Sequence, residues 1–249
     1  MVIYQVLIVI GCAIIGYLFG SIPTGVIISK IFYHKDPRNY GSHNTGGTNV
    51  GRTVSKKAGL ITIILDMFKL IIPFFTIFLL FTYNQNIFEF MSGDDKAYNS
   101  FGQGNTLVEL SYYISALATM IGHSNSIFLR FKGGKIVSTF SGLTISSFWF
   151  SIPIFGGLFF LTLKKTKIVS IASILTSATV MLFSWIVYII FVFCGPKISG
   201  YFMFSEFGPH MCIYNPIVFT LSFMLLVFKH RSNILRIKNH SENTIKWMK

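Results

Sequence analysis

Long apolar runs separated by short polar ones dominate this chain. The apolar segments cover roughly Val2 to Phe32, Ala58 to Tyr83, Val108 to Gly122, Ile136 to Phe148, Phe150 to Leu163, Ile168 to Cys194 and Ile213 to Phe228. About 20 apolar residues in a helix cross the hydrocarbon core, and a helix satisfies its own backbone there. The pattern therefore predicts an all-α integral membrane protein with seven transmembrane helices. The fourth and fifth segments abut at FWFSIP, and merging them would leave six crossings and invert everything downstream. The first run, VIYQVLIVIGCAIIGYLFG, follows no basic stretch and precedes no small-residue cleavage pattern. It reads as a retained helix, not a signal peptide.

Charge decides the count. With seven crossings and the N-terminus outside, eighteen of the 21 Lys and Arg residues fall on one face: those from Lys30 to Lys57, Arg130, Lys132, Lys135, Lys164, Lys165, Lys167 and the tail. The other face receives Lys96 and Lys197 with Glu89, Asp94, Asp95, Glu109 and Glu206. That asymmetry predicts an outside N-terminus and a cytoplasmic C-terminus. Composition agrees, with 52% hydrophobic and 12% charged residues and a mean hydropathy of +0.63. The formal charge of +13 sits in short loops beside apolar segments, so it reflects membrane topology and not a nucleic-acid stripe. No separate soluble domain is expected, and residues 1–249 read as one polytopic domain. The outer stretches at 84–107 and 195–212 read as linkers or disordered excursions. Of the three cysteines, Cys194 and Cys212 share an outer loop that would allow one disulfide.

The polar motifs collect on the basic face. GSHNTGGTNVGR, residues 41–52, is glycine-rich and precedes the second apolar segment. Its glycines would let backbone amides of Gly46 and its neighbours converge. Ser42, Asn44, Thr48 and Asn49 add neutral hydrogen-bonding groups, a helix start favours an anion, and Arg38 and Arg52 bracket the loop with charge. The stretch lacks the spacing of a nucleotide P-loop. GHSNSIFLRFKGGKIVST, residues 122–139, places two glycines between Lys132 and Lys135, and KHRSN puts His230 and Asn233 on one helical face. Asp66 and Lys69 stand inside an apolar helix at a spacing of three, which predicts a structural ion pair. Ser170 and Ser173 open the sixth apolar segment. The tail alternates basic and apolar residues and would either lie on an anionic leaflet or serve as an ordinary positive-inside tail. The chain carries no H-E-x-x-H, no G-x-S-x-G and no H-x-x-x-x-D, and its His and carboxylates do not cluster at ligand spacing, so no metal is expected.

Taken together, GSIPTGVIISKIF, then KDPRNYGSHNTGGTNVGRTVSKKAGLITIILDMFKL, then GHSNSIFLRFKGGKIVST, VSIAS and KHRSNI resemble in order the motifs of the bacterial membrane acyl-phosphate:glycerol-3-phosphate acyltransferases. The resemblance implies transfer of a fatty acyl group from acyl phosphate to the sn-1 hydroxyl of glycerol 3-phosphate. The products would be lysophosphatidic acid and phosphate, made without a cofactor at a site on the cytoplasmic side of the cell membrane. It implies phosphate-binding roles for Ser42, Thr48 and Asn49, a glycerol 3-phosphate contact for Arg52, and polar lining from Lys135, Ser173, His230 and Asn233. The sequence departs from the usual family pattern with GSHN for GSGN, GGTN for GATN, GKI for GKG, and Leu70 where a glycine follows the lysine.

An acyl phosphate is already activated, so the protein's task is to hold two anions together and stabilise the departing phosphate. A phosphate oxygen of a bound substrate, or His230, would accept the hydroxyl proton. The rival reading is a transporter of a small phosphorylated anion, which predicts internal repeats and ionisable residues near the midplane.

Overall fold

The computed structural model describes residues 2–92, 106–194 and 212–245, and among them the chain is helical with no strand. Each apolar segment has become helix. The first is broken: α1 (Val2–Ser21) and α2 (Thr24–Tyr33) meet at Ile22 and Pro23, where the ring interrupts the helical hydrogen bonds. A short helix, α3 (Gly47–Thr53), precedes α4 (Lys56–Tyr83), so the glycine loop does not run straight into the long helix as the sequence pattern predicted. A further helix, α5 (Gln85–Ser92), stands where a linker was expected. It packs back on α4, Met91 is buried, and the Gln5 amide of α1 donates to the carbonyls of Phe90 at 2.8 Å and Met91 at 3.3 Å. The rest of that outer stretch, most of the second, and the end of the tail lie outside the described residues.

Next come α6 (Thr106–Ser124), α7 (Val137–Ser147), α8 (Ile152–Thr166), α9 (Val169–Cys194), α10 (Tyr214–Lys229) and α11 (Arg231–Lys238). The fourth and fifth apolar segments are separate helices, divided by a 3-10 turn at Trp149–Ser151. Length and hydropathy suffice for a crossing in Ile3–Tyr33, Lys56–Tyr83 and Val169–Cys194, and in Tyr214–Lys229 with Arg231–Lys238 taken as one span bent by 55°. At about 1.5 Å per residue, the 11 residues of α7 reach only ~16 Å. The three cysteines are thiols, so the bridge allowed by the sequence is not made.

The described residues form two compact units, the first comprising residues 2–92 and 106–143, the second residues 144–194 and 212–245. In the first, α1 and α6 run parallel in close contact along a stripe of small residues. A Cβ on Gly16 would lie 2.2 Å from the Ser115 carbonyl oxygen, and one on Gly20 would lie 2.0 Å from that of Thr119. Such stripes let helix backbones approach in a lipid phase, where dispersion and not the hydrophobic effect draws helices together. The helix α4 runs antiparallel to both, with Phe74 edge-on to Tyr112 and Tyr113. This arrangement brings the loops around 34–55 and 125–136 to the same end of the unit. In the second unit, α9 packs against α8 and α10 around Phe148, whose ring lies 5.3 Å from Phe183 and stacks on Phe219 at 5.7 Å.

Gly20→Val drives a methyl-bearing side chain into backbone and is expected to cost about 3 kcal/mol or more. Gly11→Val, on the same helix with open space at its Cβ, is expected to leave the thermal midpoint in detergent unchanged. Equal midpoints for the two variants would refute the close α1–α6 packing.

Candidate active site

The glycine loop is organised from within by one carboxamide. Asn49 is 2% exposed, its Oδ1 accepts from the Ser42 amide at 2.9 Å, and its Nδ2 donates to the carbonyls of Pro37 (2.8 Å), Tyr40 (3.1 Å) and Asn44 (2.8 Å). The Asn44 Oδ1 accepts from the Gly46 amide at 2.8 Å. The amide of Gly46, read from the sequence as a converging donor, and that of Ser42 are thus used inside the loop, because a donor turned inward must find a partner. Asn49 and Asn44 hold the loop's shape. Ser42 is half-buried, Thr48 and Arg52 are exposed, and Ile28, Val50 and Ala58 form an apolar floor beneath.

Arg38 is not the second charged bracket that the sequence placed there. Its guanidinium pairs with Asp36 at 2.9 and 2.6 Å, and Lys30 joins the same carboxylate at 3.3 Å. These hydrogen bonds, Arg38 first, hold the Asp36 carboxyl well below the usual carboxylate range. His43 has φ 55° and its Nδ1 lies 2.8 Å from the Arg38 carbonyl oxygen. Ile136 has φ 72°. Both stand where the resemblance places glycine, and the left-handed backbone persists at a cost of roughly 1–2 kcal/mol for an L residue.

The second loop wraps the end of α6. The His123 carbonyl accepts from the Gly134 amide at 2.9 Å, and the imidazole lies so close that a Cβ on Gly134 would be 2.0 Å from Nε2. The Ser126 hydroxyl donates to the Ser21 carbonyl at 2.5 Å, tying the loop to the end of α1. Lys135, half-buried, follows the two glycines. Deeper in the same unit, Asp66 and Lys69 form the ion pair that their spacing predicts, at 2.7 Å, and the Thr24 hydroxyl donates to the same carboxylate oxygen at 2.5 Å.

The second unit holds the remaining candidates, with a residue the sequence reading missed. Asn233 donates to the Ser170 hydroxyl at 2.8 Å and to Glu242. Glu242 also accepts from the Ser170 hydroxyl and Arg236 Nε, each at 2.7 Å. Ser170 is therefore the serine joined to Asn233. Ser173, the one chosen from the sequence, donates back to the Val169 carbonyl of its own helix at 2.9 Å. Burial pushes the Glu242 carboxyl up, but the hydrogen bonds from Ser170, Asn233 and Arg236 outweigh it and hold it low. The tail beyond it docks by an Ile245 amide to Lys167 carbonyl bond of 2.8 Å, with the Ile245 side chain packed on Leu163 and Ala172. His230 is buried, with Nδ1 2.9 Å from the Leu226 carbonyl oxygen. The one signal for Glu242 in the sequence is that it is the lone carboxylate of a basic tail.

A lowered folded pKa means that Glu242 contributes stability above the ordinary carboxylate range and loses it as pH falls through the folded value. Glu242→Gln is expected to lose roughly 1–3 kcal/mol at neutral pH. The gap to the unsubstituted protein should close on acidification below about pH 4. Thermal unfolding across that pH range checks this, and a gap independent of pH would contradict it.

Residues 10–240 match the family model described as glycerol-3-phosphate acyltransferase. A glycerol-3-phosphate acyltransferase of Staphylococcus carnosus is 33% identical over 94% of this chain and 96% of its own length. Those of aster yellows witches'-broom phytoplasma (35% identical, 94% of each chain) and Acholeplasma laidlawii (34%, covering 97% and 94%) are similarly related. Among solved structures, the glycerol 3-phosphate form of PlsY (YgiH), an integral membrane glycerol 3-phosphate acyltransferase, shares the fold with a TM-score of 0.67 at 24% identity, covering 96% of each chain. Its lysophosphatidic acid form gives 0.66.

Proposed function

Since this chain belongs to the glycerol-3-phosphate acyltransferase family, we propose that it transfers a fatty acyl group from acyl phosphate to the sn-1 hydroxyl of glycerol 3-phosphate, releasing lysophosphatidic acid and phosphate. The observation that carries this reading is the placement of two shaped glycine loops, one leading to Arg52 and the other to Lys135, at one end of the first unit. Both substrates are anions with a phosphate group, and each loop offers a cation on a backbone held in place by buried side chains. Seven crossings, with this end cytoplasmic, are part of the proposal, supported by the charge asymmetry of the loops.

In the reaction, the hydroxyl oxygen attacks the acyl carbonyl carbon, the bond from that carbon to the phosphate oxygen breaks, and phosphate departs with the electron pair. Arg52, Lys135 and the Ser42 and Thr48 hydroxyls lower the energy of this step by holding the two phosphates and neutralising charge on the leaving group. Asn44, Gly46 and Asn49 act by fixing the loop that carries Ser42 and Thr48. The hydroxyl proton passes to a phosphate oxygen of a bound substrate. His230 is the alternative acceptor: with Nδ1 donating to the Leu226 carbonyl, its acceptor nitrogen is Nε2. Turnover that survives His230→Ala excludes the imidazole as the essential base. Ser173 and Asn233 belong to the same proposal as polar groups of the second unit, and there Ser170 and Glu242 hold Asn233 in place.

Purified protein in detergent is expected to release inorganic phosphate from acyl phosphate only when glycerol 3-phosphate is present, and to be inactive with acyl-CoA. Lys135→Ala is expected to lower kcat/KM by about 10²–10³. A folded protein that turns over acyl-CoA instead, or releases no phosphate, would overturn the donor assignment. Transport of glycerol 3-phosphate into vesicles without acylation would favour the transporter reading.

A further inference from the structure

The two polar loops of the first unit meet, beneath the surface, at a single buried carboxylate. Asp66 is 1% exposed and sits nearly three turns inside α4 from its polar end, at about 3.6 residues per turn. Its Oδ1 takes the Lys69 ammonium at 2.7 Å and the Thr24 hydroxyl at 2.5 Å, and lies 3.7 Å from His123 Nδ1. From this atom two short chains of contacts lead outward. Thr24 precedes Gly25, whose Cα faces the Thr45 carbonyl so closely that a Cβ there would lie 2.1 Å from the oxygen. Thr45 stands between Asn44 and Gly46, inside the glycine loop. On the other side, His123 carries Gly134 on both its carbonyl and its ring, and Gly134 precedes Lys135. A cavity of about 10 Å³ closes the group, lined by Thr24, Thr45, Asp66, Lys69, His123 and Ser126 among others.

We propose that Asp66 is a positioning residue that holds both loops in register, through Thr24 for the glycine loop and through His123 for the loop bearing Lys135, with Lys69 balancing its charge. A plain structural ion pair would need only Lys69. The additional hydroxyl on the same oxygen, and the imidazole beside it at 3.7 Å, join the carboxylate to two elements that each carry a loop, and a buried carboxylate is held firmly only where its partners are fixed. The proposal rests on the reading of these loops as substrate-binding, but its geometry is testable without turnover.

The test is hydrogen–deuterium exchange on the full-length protein in detergent, with kinetics alongside. Thr24→Val is expected to speed exchange at residues 41–49 alone, and His123→Gln at residues 130–136 alone. Asp66→Asn is expected to speed both by about fivefold or more while α1 and α6 stay protected. In the acylation assay, Asp66→Asn is expected to raise the KM for glycerol 3-phosphate about tenfold with a smaller change in kcat. Should Asp66→Asn fail to fold, the two single-arm variants still decide the matter. Exchange that rises uniformly through the unit, or a Thr24→Val effect that appears equally in the second loop, would overturn the proposal. A loss of loop protection in a protein without acyltransferase activity would keep the coupling and refute the functional reading instead.

Discussion

A polar loop at the edge of an apolar phase must satisfy its own backbone, and the Asn49 carboxamide does this for the loop that defines the protein. Amides and carbonyls that turn inward, away from water, need a partner fixed in the protein. One side chain with two donors and an oxygen engages the backbone of four residues, from Pro37 to Asn44, and closes the loop over the floor of Ile28, Val50 and Ala58. The same demand recurs where Ser126 ties the second loop to α1 and where Glu242 collects three donors in the tail unit. Internal polar groups hold these segments, leaving Arg52 exposed and Lys135 half-buried beside them.

Much of this architecture was legible in the sequence. The apolar segments mark the long helices because lipid-facing helices must be apolar along their whole length, and Asp66 with Lys69 announced a pair because unpaired charges at that depth are too costly. The break at Pro23 and the short helix α3 were not legible, since each lies within or beside a run whose average composition hides it. The helix α5 was missed because its neighbours are rich in Asn, Gly and Ser.

The candidate site divides in the same way. Ser42 and Lys135 stand on loops, Thr48 and Arg52 on the short α3, and their residue types announce their chemistry. Three roles emerged only from the folded chain: Asn49 and Asn44 face inward, Arg38 is engaged by its near neighbour Asp36, and Ser170 rather than Ser173 meets Asn233. A sequence displays donors and acceptors but not which of them the fold itself uses. His43 and Ile136 show the complementary case, since their positive φ shows that the loop paths do not depend on glycine at those positions.

Anions held by a fixed cradle can exchange an acyl group directly, and this distinguishes the account from one in which the protein forms an acyl intermediate. The decisive measurement incubates the protein with unlabelled acyl phosphate and radiolabelled inorganic phosphate in the absence of glycerol 3-phosphate. Direct transfer predicts no label in the acyl phosphate. Label entering the acyl phosphate without the acceptor would mean that the acyl group rests on a side chain, and would contradict the account at its centre.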